Sequence, residues 1–145
     1  MNRIQGHEFG RWFKALVTHD GSTSTLNQYA SEELWFMNRD FAGPFNETGF
    51  QPGSPYYDWN PLLHVDQWAT PHFVVHNDLD FRLPVSEGIL LFNLLQTRGV
   101  PSKFLNFPDE NHWVQKPENS LVWHNEIFKW INHYSGVSGD DSSPY

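Results

Sequence analysis

Residues 74–88 read "VVHNDLDFRLPVSEG". A short apolar run, residues 73–76, ends in a charged cluster of Asp78, Asp80 and Arg82, and Pro84 then opens an amphipathic segment. An apolar run bounded by turn formers suits a strand buried on both faces. Proline suits the first turn of a helix, where its missing N–H costs nothing. Strand, charged loop and helix in that order form the repeating unit of a parallel α/β sheet. In such sheets binding and reacting side chains collect where the strands deliver their carboxyl ends.

The neighbouring segments repeat the pattern. In "FKALVTHDG", residues 13–18 are apolar except for Lys14 and Thr18, and the run stops at Asp20-Gly21. This predicts a further buried strand. "SKFLNFP" predicts a third, over residues 103–107. "PVSEGILLFNLLQTRGV" predicts the longest-patterned helix, with Val85, Gly88, Ile89, Phe92 and Leu95 on its inner face and Arg98 and Gly99 at its end. A last helix opens at Pro117, carries Leu121, His124, Ile127, Phe128 and Ile131 as its inner stripe, and ends at Gly136. Between the first two strands, Ser31 is placed to cap a short helix bearing Leu34, Trp35 and Met37. Residues 42–59, "AGPFNETGFQPGSPYYDW", predict a long surface excursion. Asp58 or Asn60 then leads into Pro61 and another short helix. The order strand, helix, helix, strand, helix, strand, helix predicts one α/β domain over residues 1–136, with a polar, frayed tail at 137–145.

Composition narrows the partners. With 39% hydrophobic and 17% aromatic residues, the 145-residue chain can build a core. A formal charge of -8 argues against nucleic acid or an anionic membrane as partner. Cysteine is absent, which removes disulfides and cysteine–zinc sites. No run reaches the roughly 18 apolar residues of a membrane span, and "MNRIQGHEFGRWF" holds no signal-peptide apolar stretch. The same opening reads like the interior of an element, without cap or introductory turn.

Two of the predicted strands end in polar loops on one rim. The strand at 73–76 leads to Asp78 and Asp80, and the strand at 103–107 leads to Asp109, Glu110 and His112. A carboxylate and an imidazole from neighbouring strands are the second and third members of a nucleophilic triad. Acid before histidine is the α/β-hydrolase order, with serine earlier in the chain. Spacing alone leaves Asp78 and Asp80 in competition for the acid. It also leaves open that these are ordinary turn formers beside a solvated histidine.

The motif Asp-x-Asp-[Phe/Tyr]-Arg-x-Pro at 78–84 and the run "FLNFPDENHW" at 104–113 carry a resemblance. With "NRIQG", "FKALVTHDG", "EELWFM", "WATP" and "WINHYSG", they make the chain similar to the carboxyl-terminal end of the prolyl oligopeptidase family of serine peptidases, in particular its secreted fungal dipeptidyl-peptidase V members. The resemblance implies an α/β-hydrolase fold with parallel strands and flanking helices. It implies Asp80 as the acid and His112 as the base, leaving Asp78 as a loop former and Arg82 as a rim residue. It implies a peptide substrate, no metal or organic cofactor, and a secreted parent, with which the glycosylation pattern Asn46-Glu47-Thr48 agrees.

Family members hold their serine in a Gly-x-Ser-x-Gly elbow that runs directly into a segment like "NRIQG". No segment here matches the elbow; Ser22, Ser24 and Ser138 lack its glycines. The expectation is that the nucleophile strand lies before Met1, and that residues 1–5 continue the helix after it. An amino-terminal propeller and the serine-bearing half of the hydrolase domain would then be the partners, and the chain alone would be inactive, with an unpaired apolar strand edge. Translation from an internal methionine would give such a start.

Two other readings follow from the residues. His72 and His76 stand four apart, but on a strand that spacing separates the rings by about 13 Å, too far to share an ion. The seven tryptophans and the aromatic loop at 45–59 would suit a non-catalytic peptide- or partner-binding remnant of the same fold.

Overall fold

The computed structural model describes Gln5 and residues 12–136. The expectation for residues 1–5 therefore lies outside the described residues except at Gln5, which is helical and buried, and the tail at 137–145 lies outside them altogether.

Three strands form one parallel sheet: β1 (Leu16–His19), β2 (His72–Asn77) and β3 (Ser102–Phe107), in that spatial order. Leu16 lies opposite His72, and His72 opposite Ser102. β2 is central, and all six of its residues are buried. Successive side chains of a strand point to opposite faces, and the sequence of β2 uses both. Val74 joins Trp68, Leu91, Leu95 and Val100 on one face, whereas Phe73 and Val75 join Phe107 and Ile127 on the other. Among the described residues β1 pairs only with β2. Its residues are half-buried rather than buried, because an edge strand lacks a second neighbour. Phe13, expected to open this strand, lies three residues before it and is exposed.

Two helices cover the faces. Before them come three short helices, α1 (Leu34–Asp40), α2 (Phe45–Thr48) and α3 (Pro55–Asp58), and 3-10 turns at Asn27–Ala30 and Pro61–Gln67. Ser31 does not cap α1; its Oγ accepts from the Glu33 amide two residues on, a local turn that holds the chain out of helix until Leu34. Asn60 does cap the turn at 61–67, accepting from Leu62 N. The excursion at 42–59 is not loose. Tyr56 is fully buried, with Phe41 tilted against its ring and Phe45 meeting it edge to face.

α4 (Val85–Thr97) packs on the Val74 face. Its buried residues are Glu87, Gly88, Leu91 and Leu95, while Ile89 is 45% exposed. The run "GILLFNLL" is apolar nearly all round, so periodicity alone does not resolve the inner face. Gly99, at φ 69°, ends the helix in the left-handed conformation that glycine adopts without cost.

α5 (Pro117–Ser135) covers the other face, and of the expected stripe only Ile127 is buried. Trp123, Ile127 and Trp130 pack on the sheet, whereas Leu121 is 65% exposed and Phe128 58%. The indole nitrogens explain the rotation: Trp130 Nε1 donates to Leu16 O and Trp123 Nε1 to His19 Nδ1. Large rings with a donor that finds a partner win the interface over the aliphatic face.

Candidate active site

The carboxyl ends of β1, β2 and β3 open on one rim, and the loops after β2 and β3 are stitched together there. Asp78 N donates to Phe107 O (3.1 Å) and Leu79 N to Glu110 O (3.1 Å). Asn77, buried at the end of β2, donates from Nδ2 to Asn111 O at 2.6 Å. Asn106 on β3 returns the contact, donating to Asp78 Oδ1 at 2.8 Å. These bonds fix where the two loops pass each other, and Asp80 and His112 face one another at the crossing.

His112 Nδ1 lies 2.8 Å from Asp80 Oδ2. The other oxygen of Asp80 accepts two backbone bonds, from Arg82 N and Leu83 N, both at 2.9 Å. The carboxylate is therefore held from behind and buried, while His112 keeps 24% of its side chain exposed. With an ionised carboxylate on Nδ1, that nitrogen carries the ring proton, and the lone pair of Nε2 is left for a proton from elsewhere. The pair opens into a cavity of about 270 Å³ lined also by Phe81, Trp113 and Glu33. Arg82 Nε pairs with Glu33 at 3.1 Å on its wall. Behind that ion pair lies a second cavity of about 470 Å³ whose lining includes Trp35, Phe36, Met37, Phe41 and Leu83.

The loop carrying His112 is anchored by Glu110. Its buried carboxylate accepts from Gln115 N (3.0 Å), Lys116 N (2.9 Å) and Asn119 Nδ2 (2.8 Å). Burial pushes the carboxyl group up, but these donors outweigh it and hold the group below the usual glutamate range. A second anchor lies across the rim. Glu87 on α4 accepts from Thr23 N (2.5 Å) and Ser24 N (2.9 Å), which pins the loop after β1.

Sequence reasoning placed Asp80 and His112 on facing loops, and the structure brings them together; it sets Asp78 aside, exposed and bonded to Asn106. It also brings in two residues that the sequence reading gave no part in the pair. Asp20 and His76 are buried beside Asp80, with one ligand-type atom from each of the three residues within 4.8 Å of the others. Asp20 had been read as a turn former, although a carboxylate ending a strand on this rim was itself the signal. As a metal site the trio is poorly suited. His76 Nε2 lies 2.7 Å from Leu83 O, a carbonyl that can only accept, so that nitrogen carries a proton and offers no lone pair. Asp80 Oδ2 is engaged by His112.

Comparison with known sequences places this geometry. The profile of the prolyl oligopeptidase family matches residues 1–138. The chain belongs to the prolyl oligopeptidase family. It is 54% identical to a probable dipeptidyl-peptidase 5 of Emericella nidulans over 97% of its own length, and 55% identical to dipeptidyl-peptidase 5 of Aspergillus fumigatus over 94%. In each case it spans only 19% of the relative. Among solved structures, the acylaminoacyl peptidase of Pyrococcus horikoshii superposes with a TM-score of 0.78 at 16% identity, over 97% of this chain and 23% of that one. A puromycin hydrolase superposes with a TM-score of 0.74 at 20% identity, over 88% and 19%. The fold is thus that of an α/β-hydrolase, as the sequence predicts. No helix among the described residues is long and apolar enough to cross a membrane.

Proposed function

We propose that the chain is the carboxyl-terminal part of the catalytic domain of a secreted, serine-type dipeptidyl peptidase, and that Asp80 and His112 are two members of its triad. The observation that carries this reading is the 2.8 Å contact between His112 Nδ1 and the backbone-anchored carboxylate of Asp80, on the rim where α/β sheets gather their reacting groups. The high identity to dipeptidyl peptidases supports the reaction class.

On this reading the serine is supplied by a part of the parent protein outside this chain. Its Oγ–H proton passes to His112 Nε2 as the oxygen attacks the peptide carbonyl carbon, and Asp80 faces the imidazolium that forms. His112 then gives that proton to the departing amine, leaving a dipeptidyl ester on the serine. Water repeats the cycle in reverse, with His112 again taking the proton, and frees the dipeptide. The cavity behind the Arg82–Glu33 pair is apolar enough to take a substrate side chain close to the reacting carbonyl.

On this reading the chain alone is inactive, since it holds the acid and the base but neither the attacking oxygen nor the oxyanion donors that accompany it. A serine-directed fluorophosphonate probe tests both halves. The isolated chain should remain unlabelled, and the chain joined to its serine-bearing half should label once and release dipeptides. Stoichiometric labelling of the isolated chain, or an inert joined protein, overturns the proposal.

A further inference from the structure

Behind the Asp80–His112 pair stands a second carboxylate. Asp20 closes β1 at the same rim, is 3% exposed, and sits at φ 47°, a left-handed conformation that costs a non-glycine residue about 1 kcal/mol or more. Its amide still continues the ladder, donating to Val75 O at 3.0 Å, so the strain falls at the point where the chain leaves the strand. The result is to turn the carboxyl group inward rather than along the rim.

What it meets there is ordered step by step. Trp123 Nε1 can only donate, and it donates to His19 Nδ1 at 2.9 Å. In neutral His19 the proton is therefore on Nε2, which lies 2.7 Å from Asp20 Oδ2 but is not aligned to donate to it. Asn77 Nδ2 donates to the same oxygen at 3.4 Å. Beyond it, Asp20 Oδ2 lies 3.8 Å from His112 Nδ1, the nitrogen that Asp80 already holds. The other oxygen of Asp20 has no hydrogen-bond partner in the structure and lies 3.9 Å from His76 Nε2. A buried, strained and incompletely partnered carboxylate is a poor choice for stability. Of the groups around it, only the His112 ring belongs to the acid–base pair.

We propose that Asp20 is a positioning residue for His112, a second carboxylate that faces the imidazolium formed during proton transfer and holds the ring toward Asp80. Asn77 donates to it, and His19, itself held by Trp123, lies against it. The inference rests on the triad reading above, and it concerns the same reaction. A charge 3.8 Å from Nδ1 matters most when the ring carries a positive charge, so its effect belongs to the transition state more than to substrate binding.

The test is Asp20→Asn in the chain joined to its serine-bearing half. Asparagine tolerates the left-handed conformation nearly as well as aspartate, so this change removes the charge and keeps the shape. The expected result is a kcat lower by about tenfold or more with KM within twofold, at unchanged melting temperature. Asp20→Gly, which also accepts the backbone conformation, serves if the asparagine variant does not fold. A second readout is the low-field proton resonance of His112 Nδ1, which should shift in Asp20→Asn and disappear in Asp80→Asn. Wild-type kcat in the Asp20 variants, or a loss confined to KM, overturns the inference. If Asp80→Asn and His112→Ala also leave activity intact, the triad reading fails as well. If they abolish activity while the Asp20 variants are silent, only the role of Asp20 fails.

Discussion

Gly88 touches His76: a Cβ added to the glycine would lie 2.6 Å from both Cβ and Nδ1 of the imidazole. The contact lets α4 lie close against β2 and leaves His76 free to donate to Leu83 O, which tightens the turn that carries Asp80. Gly88→Ala gains up to about 1 kcal/mol of helix propensity. Overpacking costs about 1–3 kcal/mol, and the atom in the way is the root of the histidine side chain, which cannot swing aside. The variant should therefore be less stable by urea denaturation, and its His76–Leu83 bond should weaken.

His72 predicts an acid limb of stability. Its ring is fully buried; Nδ1 accepts from Gln5 Nε2 at 3.1 Å, so Nε2 donates to Thr18 Oγ1 at 2.6 Å. Burial pulls the imidazole from its ordinary 6.5 down to about 4. The unfolded chain thus takes up a proton below about 6.5 that the folded chain refuses until about 4. Stability from this residue is full above that window and falls through it, by on the order of 3 kcal/mol in all. Urea midpoints between pH 7 and 4.5 should decline in the wild type and decline less in His72→Gln.

Glu110 predicts a change in the loop rather than in the chemistry. Its depressed carboxyl group contributes stability above the ordinary glutamate range that is lost as pH falls through the lower folded value. Glu110→Gln keeps one acceptor of two and loses the charge. The melting temperature should drop by a few degrees at neutral pH, with a smaller drop in acid. In the joined protein, activity should fall as His112 loses its fixed station.

Asp80→Asn and His112→Ala bear on the triad directly. In the protein joined to its serine-bearing half, each should lower kcat by about a thousandfold or more, with little change in KM. Neither change opens a large cavity, so melting temperatures separate lost chemistry from lost fold.

Much of this was legible in the chain itself. The runs that became β2 and β3 and the proline and glycine boundaries of α4 and α5 rest on strong local signals, whereas the choice of Asp80 over Asp78 as the partner of His112 came from the family resemblance. Turn residues end apolar runs at fixed places, and the strand–loop–helix order leaves few topologies. The inner faces of the helices were legible only in part: Gly88, Leu95 and Ile127 are buried as expected, but Ile89, Leu121 and Phe128 are exposed. α4 is apolar nearly all round, and α5 chooses tryptophans whose N–H groups find partners 104 and 114 residues away, at His19 and Leu16. Asp20 was hidden for a related reason. An Asp-Gly pair reads as a turn until the side chain is seen to point inward.

The bonds that bring His112 to Asp80 run between the two loops, through Asn77–Asn111, Asp78–Phe107 and Leu79–Glu110, and on from Glu110 to Gln115, Lys116 and Asn119. Proton acceptor and orienting acid thus form a prefabricated cassette, set before any nucleophile arrives. On the triad reading, a serine-bearing half supplied as a separate polypeptide would find acid and base already in register, which makes the enzyme a candidate for division into a conditional, reassembling pair.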